Sequence, residues 1–481
     1  MKKLAGPLLL ATAASLCLVF ANGAHAIWPM AWIAPVLMLR LTRAGNWRMP
    51  LLGYAAFLGA WLVAWAAVLR LDGIELAMAA PVMAGLGFLP YLADRYAARR
   101  LGGLAGTLVF PAATVAMELL FASVSPFGSW GMIGYSQVGL LPLAQLAAIT
   151  GVFGLSFLPC WFAAIVNLVL ERRAEPKTWR LPLGVFAVIL AIVLGGGSMR
   201  LAGGTEGPSI RVAAVTPRVQ ENGNYDAARA QEIQDDLFAK TAAAAVNRAQ
   251  LVVWPEDSFF IPPGAEAPLL DRGIAAARAG HIAIGMAYGV RERDRGLRYR
   301  NRFVLIDATG RIAWIYNKSF PVPGYEQANM IPGDGRIAWA VLPGATVAGA
   351  ICFDGDHRHI MEQVLGGGDG APLLLLPSDD WPAIVNLHAA MAQMRAIEQG
   401  VPIARPTING IAALFDGQGR ILASRLSLDI PGEALTADVP LASGPTLYAR
   451  LGDWFAWLNV AALVVLLAAG WRIGRRRGEA A

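Results

Sequence analysis

With 56% hydrophobic and only 15% charged residues, this 481-residue chain is too apolar for a soluble enzyme. Its net charge of +6 is small, and basic residues cluster beside the apolar runs, so the charge requires no nucleic-acid partner. The composition therefore indicates a membrane protein that also carries one long polar block, large enough for a soluble domain.

Apolar runs fill the first 200 residues and recur at the C-terminal end of the chain. Most of them approach the ~20 residues that a membrane-spanning helix needs, so we predict an integral membrane helical bundle of about eight spans. We expect residues 1–200 to form the N-terminal membrane helices and residues 453–473 a C-terminal one. The runs cover residues 4–22, 27–40, 51–69, 76–93, 104–124, 151–170, 181–198 and 454–472.

Positive charge marks every second connection between these runs. Arg and Lys precede the first run, recur within 40–48, 95–100 and 172–180, and follow the last run. Because cytoplasmic loops carry an excess of Lys and Arg, both termini are predicted to be cytoplasmic and the polar block extracytoplasmic. A cleavable signal peptide ending near residues 24–26 is an alternative for the first run, and it would leave the polar block on the same side.

The polar block, residues 208–445, alternates segments typical of strands with segments typical of helices. Short apolar runs bounded by turn residues predict strands, and longer amphipathic stretches predict helices. This alternation is typical of an α/β domain. The predicted strands are 209–215, 251–254, 281–288, 302–306, 311–316, 346–351 and 373–376, and the predicted helices are 225–249 and 386–399.

Three residues suited to nucleophilic catalysis follow predicted strands of this block. Glu256, Lys318 and Cys352 each lie just past a strand end, where α/β sheets place their chemistry. Cys352 is the only cysteine of the block, since Cys17 and Cys160 lie in apolar runs, so a disulfide within the block is excluded. A thiol needs a base to become a nucleophile, and a cation would stabilise the oxyanion formed on attack. A buried structural cysteine is the alternative.

Glu118 lies inside the apolar run 104–124, where a carboxylate is costly and is usually functional or paired. Two explanations remain open, namely binding of a lipid or partner group and pairing with a polar residue near the outer face. A transporter or channel should contain several such intramembrane polar sites, whereas Glu118 is nearly alone.

Three segments around these strand ends resemble, in order, the Glu–Lys–Cys signature of the nitrilase (carbon–nitrogen hydrolase) superfamily. They are Trp254–Glu256, Tyr316–Lys318 and Ile351–Asp354. Because they lie in a block between membrane spans, the chain resembles the apolipoprotein N-acyltransferase family. Three further stretches resemble segments of the same family: 129–137, 394–398 and 405–410.

The resemblance implies an extracytoplasmic nitrilase-like αββα domain on a multi-pass protein of the bacterial inner membrane, with the domain on the periplasmic side. It also implies that Cys352 is the nucleophile, Glu256 the general base and Lys318 the oxyanion donor. The reaction would move an acyl chain from a phospholipid to the α-amine of a diacylglyceryl apolipoprotein through a Cys thioester. We expect a monomer that uses no cofactor and no metal.

The chain departs from the family pattern in three stretches. Cys352–Asp354 reads Cys-Phe-Asp where the family has Cys-Tyr-Glu, and the family's Pro-Phe-Gly-Glu turn after the lysine is rearranged to Pro-Gly-Tyr-Glu at Pro323–Glu326. The family's Ser-Asn-Asp-Ala-Trp-Phe-Gly stretch is reduced to Ser378–Pro382. A divergent membrane-anchored nitrilase-like amidase or acyltransferase with another acceptor is therefore an alternative.

Four more residues are predicted to serve the site. Glu326 keeps the family's spacing beyond the lysine, and Asp354 takes the place of the family's glutamate. We expect both carboxylates to support Lys318 and Glu256 through hydrogen bonds. Tyr325 and Trp381, which lie in the family-like stretches, are predicted to bind substrate.

Overall fold

The computed structural model describes residues 2–204, 207–218, 226–292, 298–367, 372–427, 434–441 and 445–479. The chain divides into two compact units. The helical unit comprises Met1–Ala202 with Leu451–Ala481, and the soluble unit comprises Gly203–Arg450.

The N-terminal part of the helical unit consists of helices joined by turns and by one longer segment, 125–140, which contains the 3₁₀-helix Ile133–Gly139. Asp72 caps the helix Gly73–Leu101, because its carboxylate accepts the backbone N–H groups of Ile74 and Glu75, and Glu75 reaches back to the N–H of Asp72. Gly102 and Gly103, both with positive φ, turn the chain between this helix and the next, Gly103–Val124. The helices are α1 (Lys2–Val19), α2 (Met30–Thr42), α3 (Arg48–Leu69), α4 (Gly73–Leu101), α5 (Gly103–Val124), α6 (Leu141–Ala144), α7 (Ala147–Thr150), α8 (Val152–Glu171) and α9 (Pro176–Ala202).

The soluble unit alternates strands and helices. Its strands are β1 (Ser209–Ala214), β2 (Leu251–Val253), β3 (Phe260–Ile261), β4 (Ala283–Arg291), β5 (Tyr299–Ile306), β6 (Ile312–Asn317), β7 (Ala338–Leu342), β8 (Ala345–Gly349), β9 (Leu373–Leu375), β10 (Ser378–Asp379), β11 (Ile403–Arg405), β12 (Thr407–Ile408), β13 (Ile411–Phe415), β14 (Ile421–Leu426) and β15 (Leu435–Pro440). Its helices are α10 (Ala227–Val246), α11 (Glu266–Gly280), α12 (Arg358–Met361) and α13 (Val385–Gln399), and α14 (Leu447–Leu451) follows them.

Within the described residues these strands form two large mixed sheets and a small parallel pair of β10 with β12. The first has the order β15-β1-β2-β4-β5-β6 with β3 beside β4, and the second has the order β14-β13-β11-β9-β8-β7. Parallel pairing of β2 with β1 and β4, and of β9 with β8 and β11, brings the carboxyl ends of the central strands of each sheet to one edge.

Helices cover the outer face of each sheet. Leu237 of α10 and Leu269 of α11 are buried in one core with Val252 and Ile284 of the first sheet. A second core joins α12 and α13 to β8, β9 and β11. The two sheets face each other: a Cβ on Gly349 of β8 would lie 2.4 Å from the ring of Trp314 of β6. The layers are therefore α-β-β-α, as predicted.

The chain ends on α15 (Trp454–Glu479), which belongs to the helical unit. Among the described helices, six are long and apolar enough to cross a membrane, namely α3, α4, α5, α8, α9 and α15 over Trp454–Arg476. The first two predicted spans are the shorter apolar helices α1 and α2. The count of about eight spans stays a prediction.

Every predicted strand of the soluble unit is present, with small shifts at its ends. The predicted strand 346–351 stops at Gly349, and the chain enters a 3₁₀-helix at Cys352. The predicted strand 281–288 is displaced to Ala283–Arg291. The predicted helix 225–249 corresponds to α10, and its first residue, Tyr225, lies outside the described residues.

Candidate active site

Glu256, Lys318 and Cys352 lie together inside the soluble unit. β2 leads into Glu256, β6 leads directly into Lys318, and β8 leads into Cys352. All three side chains are almost completely buried, with exposed fractions of 1–3%. The Lys318 Nζ donates to Glu256 Oε1 at 2.8 Å and lies 2.7 Å from Glu326 Oε2, so one ammonium bridges two carboxylates.

Cys352 sits on a strained turn. Its φ of 48° is unusual for a residue with a side chain, and it begins the 3₁₀-helix Cys352–Asp356. Its backbone N–H donates to the carbonyl of Pro377 at 2.9 Å, which holds the turn against the segment after β9. The thiol donates to the carbonyl oxygen of Asp379 at 3.8 Å, and the Glu256 carboxylate lies near enough to raise the pKa of the thiol. The sulfur therefore has an acid–base partner within reach.

The charges of this cluster decide which groups hold protons. Burial alone would lower the pKa of Lys318, but Glu256 and Glu326 outweigh it and hold that pKa well above its usual value. Burial, and then the nearby Glu256 charge, raise the pKa of the Cys352 thiol, while Lys318 acts in the opposite direction. The resting site therefore holds a protonated thiol and an ammonium ion, and attack by sulfur requires a base.

Asn301 of β5 and the backbone of Asp379 fix the position of the Glu256 carboxylate. Asn301 Nδ2 donates to Glu256 Oε1 at 2.7 Å, and the Asp379 N–H donates to Glu256 Oε2 at 2.8 Å. Asn301 is completely buried and was not identified from the sequence. The residues at the start of β5 are all polar or aromatic, so no alternation of apolar and polar residues shows whether the Asn301 amide faces the interior or the surface.

Glu326 and Asp354 act on different parts of the cluster. Glu326 contacts the Lys318 ammonium directly, and its supporting role stays a prediction. Asp354 instead accepts the backbone N–H groups of Ser319 and Phe320, at 3.0 and 2.8 Å, together with the Tyr316 hydroxyl at 2.7 Å. It therefore braces the turn that follows the lysine. Burial raises the pKa of Asp354 to about 7, although Lys318 and these hydrogen bonds oppose the shift.

Two family models match this chain in sequence. The Apolipoprotein N-acyltransferase N-terminal domain matches residues 13–165, and the Carbon-nitrogen hydrolase family matches residues 211–444. A relative from Bradyrhizobium diazoefficiens, named apolipoprotein N-acyltransferase, is 30% identical over 72% of this chain and 70% of its own. Another of the same name, from Azotobacter vinelandii, is 31% identical and covers 98% of this chain and 96% of its own. This chain belongs to the apolipoprotein N-acyltransferase family.

Solved structures with a similar fold include amidases. An amidase from Nesterenkonia sp. is 19% identical, covers 49% of this chain and 92% of its own, and gives a TM-score of 0.41. The Carbon-nitrogen hydrolase match to residues 211–444 identifies the α/β fold of the soluble unit as that of the nitrilase superfamily.

A buried ionic chain behind the site of this apolipoprotein N-acyltransferase family member was not foreseen. His388 of α13 lies 3.3 Å from Asp356 through Nε2 and 2.7 Å from Asp380 through Nδ1. Arg405 donates to both oxygens of Asp380, at 2.8 and 2.9 Å. Burial would lower the pKa of His388, but Asp356 and Asp380 outweigh it and raise that pKa to about 9. This row of ion pairs connects the 3₁₀-helix that begins at Cys352 to the segment that follows β10.

A second buried arginine supports the same 3₁₀-helix. Arg395 of α13 donates to the carbonyl of Gly355 at 3.0 Å and pairs with Glu398 at 2.5 Å. Arg395 and Arg405 both lie in stretches that resemble the family, which was the sequence signal that pointed toward them.

The rings of Tyr325 and Trp381 lie near each other. Their ring centroids are 6.4 Å apart, Tyr325 is 55% exposed, and Trp381 is partly buried. Each is the neighbour in sequence of a buried acid, Glu326 and Asp380 respectively. Their role in binding substrate stays a prediction.

Glu256, Asp257 and Glu326 form the carboxylate cluster, among the described residues, that could hold a metal ion, with ligand atoms within 4.8 Å of one another. The Lys318 ammonium already contacts two of these three carboxylates. A divalent cation would have to enter a site in which the Lys318 ammonium already supplies positive charge to these carboxylates. The predicted independence from metal stays a prediction.

Proposed function

We propose that this protein moves an acyl chain from a phospholipid to the α-amine of the lipidated N-terminal cysteine of apolipoproteins. The observation that carries the proposal is the buried Lys318 ammonium, which bridges Glu256 and Glu326 beside the Cys352 thiol. The same residue types form the Glu–Lys–Cys signature that the sequence resembles. Its relatives are named apolipoprotein N-acyltransferases, and this name supplies the substrate class.

In the first half-reaction, Glu256 takes the thiol proton while Cys352 Sγ attacks the ester carbonyl carbon of the phospholipid. The oxyanion that forms is stabilised by the positive charge of Lys318, an interaction worth about 3–4 kcal/mol by analogy with other oxyanion donors. The ester C–O bond then breaks, Glu256 returns its proton to the leaving oxygen, and a lysophospholipid departs. The enzyme is left with an acyl thioester on Cys352.

In the second half-reaction, the acceptor's α-amine attacks the thioester carbonyl and Glu256 accepts a proton from the nitrogen. The C–S bond breaks as the amide forms, and the thiolate of Cys352 regains the proton from Glu256. Thioester exchange with an amine is favourable because an amide is the more stable acyl derivative. The two half-reactions share one base and one cation, as a ping-pong mechanism requires.

Membrane embedding fits this substrate pair. Both proposed substrates carry acyl chains, and the chain has six described helices that could span a bilayer. We place the protein in the bacterial inner membrane with its soluble unit on the periplasmic side, because the basic connections of the helical unit are those of cytoplasmic loops.

The proposal is tested by separating the two half-reactions. Purified protein is incubated with phospholipid labelled in its acyl chain, and the label retained on protein is measured before and after hydroxylamine treatment. A synthetic diacylglyceryl lipopeptide is then added, and its mass is followed. We expect hydroxylamine-sensitive label on Cys352 that moves to the peptide amine.

Cys352→Ala should give neither product, whereas Cys160→Ala, which removes another buried cysteine, serves as the matched control and should give both. Label retained in Cys352→Ala would overturn the nucleophile assignment. Label on Cys352 that never reaches the lipopeptide would instead identify a different acceptor.

A further inference from the structure

A cavity of about 530 Å³ lies within the helical unit, where α2, α4 and α8 end and α5 begins. Its arginines belong to the three basic connections within 40–48, 95–100 and 172–180, so this is the end of the unit that is predicted to be cytoplasmic. In the part of the chain that the structure describes, the charged lining consists of four arginines and one glutamate, namely Arg40, Arg43, Arg99, Arg172 and Glu171.

The most buried of these arginines, Arg43, has one guanidinium nitrogen left for a ligand. Its side chain is only 5% exposed, and Nε and Nη2 donate to the two carboxylate oxygens of Asp94 at 2.7 and 2.8 Å. Nη1 has no hydrogen-bond partner among the described residues, since its distance of 4.0 Å from Glu171 Oε1 is too long for a hydrogen bond. Asp94 therefore fixes the guanidinium, and Nη1 remains available to the cavity.

The other arginines of the lining are only partly neutralised. Arg40 is exposed, and its guanidinium makes no ion pair or hydrogen bond with any residue that the structure describes. Arg99 pairs with Glu171 at 3.1 Å and is 55% exposed, while Arg172 pairs with Glu175 at 3.0 Å. Exposed pairs of this kind are weak, so Arg99 can turn to a stronger anion at little cost.

The first turn of α5 adds backbone donors to the same cavity. This helix is 22 residues long, and its first residue, Gly103, lines the cavity together with Gly102 and Gly106. The first N–H groups of a helix have no partner within the helix and carry a partial positive charge. A Cβ on Gly102 or Gly103 would meet no atom within 4 Å, so this edge of the cavity is open to a ligand.

Membrane orientation explains why these connections are basic, but it does not explain why four arginines line one cavity. Arg48 and Arg173 lie in two of the same connections, are exposed and do not line it. Guanidinium groups and a helix N-terminus are the donors that proteins use for phosphate, because both match its charge and its several acceptor oxygens. Basic pockets between spans on the cytoplasmic side bind phosphate-bearing head groups in this way.

We propose that this cavity binds a phosphate group, held by Arg40, by Nη1 of Arg43, by Arg99 and by the N–H groups that begin α5. The phosphate belongs to an anionic lipid head group or is free in solution, since both sources present the same oxygens. The site shares no residue with the cluster around Cys352, so it does not depend on the proposed acyl transfer.

The test uses the full chain with Cys352→Ala, so that no phospholipid is consumed, after bound lipid has been removed. Native mass spectrometry measures the binding of phosphatidic acid, of diacylglycerol with the same acyl chains, and of inorganic phosphate. We expect phosphatidic acid to bind at least about tenfold more tightly than diacylglycerol, the effect of one charge-assisted hydrogen bond. Displacement of phosphatidic acid by inorganic phosphate would show that free phosphate suffices, and its absence would assign the site to lipid. Equal binding of the two lipids, with no binding of inorganic phosphate, would overturn the proposal.

A pair of matched variants tests the position of the site. Arg40→Gln removes an exposed charge that has no partner among the described residues, so the fold should be kept while the affinity for phosphatidic acid falls about tenfold. Arg48→Gln makes the same change in the same connection but outside the cavity, and the affinity should stay within about twofold. An equal loss in the two variants would show general attraction to a basic surface and would overturn the site.

A chemical footprint locates the ligand without any change to the cavity. Phenylglyoxal modifies exposed arginines, and the modified peptides are quantified with and without bound phosphatidic acid or phosphate. Arg40 and Arg99 should lose their modification when the ligand is bound, whereas Arg48 and Arg173 should remain reactive. Full modification of Arg40 and Arg99 in protein that carries the ligand would refute the proposed contacts.

Discussion

Replacing Lys318 with Met should destabilise the soluble unit strongly. The ammonium contacts Glu256 at 2.8 Å and Glu326 at 2.7 Å, and none of the three side chains is more than 4% exposed. Methionine fills a similar volume but leaves two carboxylates buried without a counter-charge. Breaking a buried ion pair in this way costs about 3–5 kcal/mol. At about 2–4 °C per kcal/mol for a domain of this size, the melting temperature of the soluble unit should fall by about 6–20 °C.

The stability lost in Lys318→Met should be smaller in acid than at alkaline pH. Burial already raises the pKa of Glu326 in the intact site, with Lys318 acting against the shift. Without Lys318, the folded-state pKa of Glu326 rises further above the unfolded value of about 4.3. A group whose pKa is raised by folding favours the folded state below the unfolded pKa, and this contribution is lost as the pH rises through the folded pKa. The variant should therefore be closest to wild type in acid.

The assay is thermal unfolding of the detergent-solubilised full chain, followed by proteolysis and quantification of peptides from β2 and β6 at pH 5 and pH 8. Arg229→Met, which breaks an exposed pair with Glu232, is the control and should change stability by only about 0–1 kcal/mol. A Lys318→Met protein that melts within about 2 °C of wild type at pH 8, or whose deficit grows in acid, would refute the electrostatic account of the site.

Three further outcomes are expected. Glu256→Gln keeps the shape of the side chain but removes the proton acceptor, so it should block labelling of Cys352 by acyl-labelled phospholipid; full labelling would assign the base elsewhere. His388→Gln should slow that labelling and flatten the dependence of stability on pH in the alkaline range. The folded-state pKa of His388, about 9, exceeds its unfolded value, so the stability that His388 contributes is lost as the pH rises through 9. An unchanged alkaline profile would contradict this role. A reporter fused near residue 300 should be active only outside the cytoplasm, and cytoplasmic activity would reverse the predicted orientation.

Asp354 shows why a departure from a family pattern is hard to interpret from sequence. The shorter side chain suggested a changed site, whereas in the structure it makes hydrogen bonds to Tyr316 and to the backbone of Ser319 and Phe320. Which atoms a carboxylate reaches depends on the backbone path of the neighbouring turn, and the residue type alone does not predict that path.

The supporting residues are equally hard to identify from the sequence. Asn301 and His388 are common polar residues in a strand and a helix, and nothing in their immediate neighbours shows that they are buried. Glu118 differs, because a lone carboxylate in an apolar run is conspicuous in any sequence. Its surroundings still required the helices to be packed, since Ile133 reaches it from beyond the end of α5.

Features that depend only on neighbouring residues could be predicted from the sequence. Apolar runs of membrane length, the alternation of strands and helices between 208 and 445, and the positions of Glu256, Lys318 and Cys352 just past strand ends all follow from local patterns. Tertiary structure decided which strands pair, and so which strand ends meet. The Glu256 carboxylate accepts a backbone N–H from a residue 123 positions away, and the Lys318 ammonium reaches it across 62 positions. Such contacts depend on sheet order and burial, which arise only when the whole domain excludes water.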